Sequence, residues 1–137
     1  MCYLCGVKTL NTLRRILAID DDPINRQLLE IYLANDFEHK VVNNAKQAID
    51  ALGKAEFDLI VTDINLEGAE DGIWLARYIK AAPKYEHIPV IAFTAHLISY
   101  LGRDNFKDAF DYIIEKPVMK KQFVAKLNEI LSTLELQ

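Results

Sequence analysis

Short runs that are apolar at every position alternate along this chain with stretches in which apolar residues recur every three or four positions. Ile16, Leu17, Ala18 and Ile19 form the first run, and Ile24, Leu28, Leu29, Ile31, Tyr32 and Leu33 follow at helical spacing. Between them Asp22 suits a helix N-cap, and Pro23 falls where a first-turn proline is tolerated. Lys40, Val41 and Val42 predict a second strand. Ala45, Ala48, Ile49 and Leu52 predict a helix that Gly53 is expected to end. Leu59, Ile60 and Val61 make a third run, followed by a turn-rich stretch over 65–72 and a helix through Ile73, Leu75, Ala76 and Ile79 that stops before Pro83. Pro89 introduces Val90, Ile91, Ala92 and Phe93. Leu97, Ile98, Leu101 and Phe106 then predict a fourth helix, weakened by Gly102. Tyr112, Ile113 and Ile114 give a fifth strand, and Phe123, Leu127, Ile130, Leu131 and Leu134 a closing helix.

Strands apolar at every position are covered on both faces, which points to a mostly parallel sheet. Five strand–helix units without room for a linker give a doubly wound α/β sandwich, with residues 15–137 as the domain and 1–14 as an extension. At 137 residues the chain has the length of one ordinary domain. Its 16 basic and 20 acidic side chains leave a net charge of −4, and no basic cluster exceeds a pair, which argues against direct nucleic-acid binding. No apolar run approaches the roughly 20 residues of a membrane span, so a cytoplasmic protein with no membrane partner is expected. Cys2 and Cys5 form a C-x-x-C, but no strand precedes it and the histidines are scattered. It reads as part of a loose extension rather than a redox or zinc site.

In a doubly wound sheet the functional crevice lies beyond the carboxyl ends of the strands. Asp20, Asp21 and Asp22 follow the first run, Thr62 and Asp63 the third, Thr94 the fourth, and Glu115, Lys116 and Pro117 the fifth. If those strands are neighbours, Asp20, Asp21 and Asp63 converge, and three close carboxylates call for a cation. Oxygen ligands of this kind suit Mg2+, which leaves a position for a phosphate oxygen. The Lys116 ammonium and Thr94 hydroxyl beside a carboxylate nucleophile complete a phosphoryl-transfer site. Asp22 is better explained as a cap.

Four stretches carry a family resemblance: Ile-Leu-Ala-Ile-Asp-Asp-Asp-Pro at 16–23, Asp-Leu-Ile-Val-Thr-Asp-Ile-Asn-Leu at 58–66, Pro-Val-Ile-Ala-Phe-Thr-Ala-His at 89–96, and Glu-Lys-Pro at 115–117. Each is weak alone. In this order, each at the end of an apolar run, they resemble the receiver domains of two-component response regulators from about Arg15 to Leu134. The resemblance implies a flavodoxin-like (βα)5 fold with strand order 2-1-3-4-5. It implies Asp63 as phosphoacceptor for a sensor histidine kinase or histidine phosphotransfer protein. It implies Mg2+ held by Asp21, by Asp20 through water, by Asp63 and by the main-chain carbonyl of Asn65. Thr94 and Lys116 would hold phosphoryl oxygens, and Asn65 and His96 stand where dephosphorylation is tuned.

The match also departs from the family pattern. Many receivers carry a proline four residues after the phosphoacceptor, where this chain has Glu67, and Asp71-Gly72 comes one residue late. The acidic loop containing Glu67, Glu70 and Asp71 reads as a solvated loop. Many receivers place an aromatic switch residue three positions before the lysine. Here that position is Ile113, and Tyr112, one residue away, points to the opposite face. With little chain beyond Leu134, a phosphorylation-dependent switch acting through an unknown downstream protein is the leading expectation. The alternatives are a degenerate receiver acting as a constitutive interaction module, and a dehalogenase-type Mg2+-dependent phosphatase with Asp20 as nucleophile and Asp22 as acid/base.

Overall fold

The computed structural model describes residues 13–95 and 106–135. Cys2, Cys5, His96 and nearly all of the predicted fourth helix lie outside the described residues. Five strands form one parallel sheet: β1 (Arg15–Ile19), β2 (Glu38–Val42), β3 (Leu59–Thr62), β4 (Val90–Thr94) and β5 (Tyr112–Glu115). Their order across the sheet is β2-β1-β3-β4-β5, the order the resemblance implied. The described α-helices are α1 (Pro23–Leu33), α2 (Ala45–Lys54), α3 (Gly72–Ala81) and α4 (Lys120–Glu135), and a 3-10 turn spans Phe106–Ala109.

The continuous apolar runs have the predicted cause. Side chains alternate faces along a strand, so Leu17 and Ile19 face one helix layer while Ile16 and Ala18 face the other. Ala48, Leu52, Leu75 and Ile79 from α2 and α3 pack with Leu17, Ile60 and Ala92. On the opposite face Leu29 and Leu33 of α1 and Phe123, Leu127 and Ile130 of α4 pack with Ile16, Val61 and Ile91. Strands β3 and β4 are buried at every residue, whereas β2, at the edge, alternates exposed and half-buried positions up to the buried Val42. Tyr112 packs on the α1/α4 face and Ile113 on the α2/α3 face, as the alternation requires.

One local expectation is corrected. Gly53 does not end α2: the helix runs on to Lys54, and the Ala55 N–H closes it on the Ala51 carbonyl. The left-handed glycine is instead Gly68, at φ 92°, in the loop before α3. The helical spacing through Ile24, Leu28, Leu29, Ile31, Tyr32 and Leu33 does form α1, and only part of that apolar set is covered. Leu29 and Leu33 are buried, while Ile24, Leu28 and Ile31 are 73%, 42% and 59% exposed. Asp22 caps α1 by accepting from the Ile24 N–H at 3.1 Å. Among the described residues no helix is long and apolar enough to cross a membrane.

Candidate functional site

The strand order reverses between β1 and β3, and that is where the acidic residues gather. Ile19 pairs with Thr62, and the Asp63 N–H bonds the Ile19 carbonyl at 3.1 Å, so Asp20 and Asp63 leave adjacent strands side by side. On the other flank Thr94 is in register with Glu115, and the Lys116 N–H donates to the Thr94 carbonyl at 2.9 Å. The Lys116–Pro117 peptide bond is cis. From that position Lys116 Nζ reaches Asp20 Oδ2 at 2.9 Å and Asp63 Oδ2 at 3.4 Å, and lies 5.0 Å from the centre of the Phe93 ring.

Asp20 is 1% exposed and Thr94 is fully buried. Asp20 Oδ1 also accepts the Asp22 N–H at 3.0 Å, and Asp63 Oδ1 the Asn65 N–H at 3.2 Å. Burial pushes the Asp63 carboxyl above the ordinary carboxylate range. The Lys116 charge and the Asn65 N–H pull it back, and the Asp20 charge pushes it up again.

The sequence expectation that three aspartates converge holds for two of them. Asp21 stands apart from the Lys116 pair: its Oδ2 accepts the main-chain N–H of Glu67 at 2.9 Å. Among the described residues no group of three or more histidine, cysteine or acidic side chains stands in metal-holding geometry. The donor chemistry nonetheless fits a hard divalent cation, because Asp20 and Asp63 are acidic oxygens on one ammonium with Asp21 next in the chain. Asn65 is exposed at the rim.

Three contributors have no role assigned to them by the sequence pattern. Arg26 Nη1 donates to the Asp20 carbonyl at 3.0 Å and so braces the loop carrying the aspartates. A cation within the second turn of a helix that opens on the site was the available signal. The Thr62 hydroxyl donates to the Asp63 carbonyl at 2.9 Å, which its place beside Asp63 could have suggested. Gly72 is the third. A Cβ there would sit 2.0 Å from the Asp63 carbonyl oxygen, so α3 can approach the end of β3 only with glycine at this point. Its signal was a glycine directly after a cap, since Asp71 accepts the Trp74 N–H at 3.0 Å. A cavity of about 200 Å³ adjoins the site, with Asn25, Leu28, Tyr32 and Val118 in its wall.

A five-stranded parallel sheet in this order, with two aspartates and a lysine meeting at the switch point, defines a flavodoxin-like domain with an acidic site beyond its strand ends. The family described as response regulator receiver domain matches residues 16–128, and the chain belongs to it. The chain is similar to the sensor histidine kinase GacS of Pseudomonas protegens, 30% identical over 113 residues that cover 79% of this chain and 12% of that protein. It is similar to the DNA-binding response regulator MtrA of Mycolicibacterium smegmatis, 32% identical over 120 residues, 86% of this chain and 51% of that one. Thus it spans about half, or far less, of these curated relatives. The response regulator TrrA of Thermotoga maritima, solved in complex with Mg2+-BeF, superposes with a TM-score of 0.74 at 26% identity, covering 85% of this chain and 98% of that one. Receiver domains of this fold generally act as phosphoacceptors in two-component signalling, not as classical enzymes.

Proposed function

We propose that this domain accepts a phosphoryl group on Asp63 in a Mg2+-dependent reaction and thereby switches protein–protein interactions. The observation that carries the reading is the Lys116 ammonium lying between Asp20 and Asp63 at the strand ends. An Asp63 oxygen attacks phosphorus, an O–P bond forms, and the N–P bond of a phosphohistidine breaks with its electron pair leaving on the imidazole. Burial makes the Asp63 carboxylate a stronger base and nucleophile, while Lys116 favours its anionic form. Asp20, Asp21, Asp63 and the Asn65 carbonyl would hold the cation. When bound, Mg2+ neutralises charge on the transferring phosphoryl oxygens. Lys116 and the Thr94 hydroxyl take up the product oxygens, pulling the ends of β4 and β5 and so biasing the sheet edge that a downstream protein reads. The domain promotes both its own phosphorylation and its dephosphorylation, the latter tuned at Asn65 and His96. Tyr112 faces the α1/α4 layer, so the output runs through Thr94 and Lys116 rather than an aromatic swing.

The donor is a sensor histidine kinase or a histidine phosphotransfer protein. The exposed stripe Ile24, Leu28 and Ile31 supports this, because it runs along α1 away from the site mouth and offers a protein donor an apolar footing. Intact-mass spectrometry after incubation with a small-molecule phosphodonor, with and without Mg2+, tests the reading. Wild type should gain one phosphoryl group with Mg2+ and Asp63→Asn none, and Asp20→Asn should react more slowly. An adduct that survives Asp63→Asn but disappears in Asp20→Asn would sink the proposal in favour of phosphatase-like chemistry. No adduct at all would leave a constitutive interaction module.

A further inference from the structure

Position 67 is where this chain departs from receivers that carry proline, a residue without an N–H. Glu67 has one, and it donates to Asp21 Oδ2 at 2.9 Å, tying together two loops 46 residues apart in the chain. The neighbouring aspartates are engaged differently: Asp20 and Asp63 share Lys116. Asp21 is thus held on the loop between β3 and α3 rather than gathered with them, and among the described residues the three do not already form a metal-holding group. Leu66, the preceding residue, is buried, so one side of this loop is anchored in the core.

We propose that the Glu67 main-chain N–H is a latch that competes with a divalent cation for the Asp21 carboxylate. Loading the site then draws Asp21 away from Glu67 and frees the loop between β3 and α3, so cation binding is coupled to that loop. This rests on the reading of Asp21 as a cation ligand. The latch weakens cation binding by about three- to tenfold, the range of one net intramolecular hydrogen bond. It is a property of the backbone, which allows a charge-matched comparison: Glu67→Ala and Glu67→Pro both remove the side-chain carboxylate, but only the proline removes the donor.

The test is a MgCl2 titration of wild type and both variants by calorimetry, together with hydrogen exchange of the wild-type Glu67 amide measured by NMR with and without saturating MgCl2. The expected result is that Glu67→Pro binds Mg2+ about three- to tenfold more tightly than Glu67→Ala. The wild-type Glu67 amide should be protected without Mg2+ and exchange several-fold faster with it. If Glu67→Pro does not fold, the wild-type amide decides alone. An amide that keeps its protection in saturating MgCl2, or a proline variant that binds no tighter than the alanine one, overturns the latch while leaving the cation site standing. If none of the three proteins binds Mg2+, the cation site itself fails and the latch with it.

Discussion

Carboxylates stand at both ends of this sheet, and the two sets are treated differently. At the amino ends of the strands, Asp58 accepts the Arg15 N–H at 2.8 Å and faces Arg14 Nη1 at 3.6 Å. Asp111 likewise accepts the Val90 N–H at 2.8 Å and pairs with Lys80. There each acid has one main-chain donor and one cation, and both pairs are partly open to water. At the carboxyl ends Asp20 and Asp63 also have one main-chain donor each, but they divide a single ammonium, and Asp20 has almost no access to water. Balanced pairs tie strands together. The unbalanced, desolvated pair stores an attraction for positive charge that folding alone does not need.

The sharpest break of this contrast is a methyl group added at each end. Gly72→Ala drives a Cβ to 2.0 Å from the Asp63 carbonyl oxygen, and should cost about 3 kcal/mol with a slowed phosphorylation rate. Gly53→Ala, near the opposite end and with nothing within 4 Å of its Cβ, should stabilise by about 0.5–1 kcal/mol. Urea unfolding of both variants checks this. Equal midpoints would remove the claim that α3 is fitted against β3. Next comes a matched pair of lysine substitutions. Lys116→Met strips the cation from Asp20 and should cost about 2–3 kcal/mol, limited because the acids can take up a proton. Lys80→Met, in a pair about one-third exposed, should cost under about 1 kcal/mol. If the two losses were equal in denaturation curves, the two ends would not differ as argued.

A smaller effect isolates the cap from the chemistry. Asp22→Ala removes the acceptor for the Ile24 N–H and should cost about 1 kcal/mol while leaving phosphorylation at Asp63 in place. Loss of the adduct in that variant would move Asp22 from the helix into the reaction. The smallest expected shift belongs to Asp63→Asn in metal-free buffer. The Asp63 carboxyl is raised by burial, so the folded state binds its proton more tightly than the unfolded chain does. Its contribution to stability is therefore full below the ordinary carboxylate value and is lost as pH rises through the raised one. Asp63→Asn should thus be more stable than wild type at neutral pH, by up to about 1 kcal/mol, and the difference should shrink on acidification. Thermal melts across that range check the sign, and a gap that widens toward acid would contradict it.

By itself the sequence determined, over the described residues, the alternation of strands and helices apart from the fourth helix, and the residues that end each strand. A strand covered on both faces must be apolar at every position and a helix on one stripe, so local pattern encodes burial. That is why Asp20, Asp63, Thr94 and Lys116 were legible as a set, and why Asp22 could be read as a cap. The tertiary structure decided what depends on contacts distant in the chain. Pairing of β1 with β3 brought Asp20 to Asp63, and the fifth strand delivered Lys116 to both. Asp21, next to Asp20 in the chain, found its partner on the loop at Glu67 instead, and nothing in the local pattern separates two adjacent aspartates. Likewise the helical spacing of α1 marks Ile24 and Leu29 alike as apolar. Only the packed sheet decides that Leu29 is covered and Ile24 is left to solvent, because burial of a side chain is set by what lies opposite it.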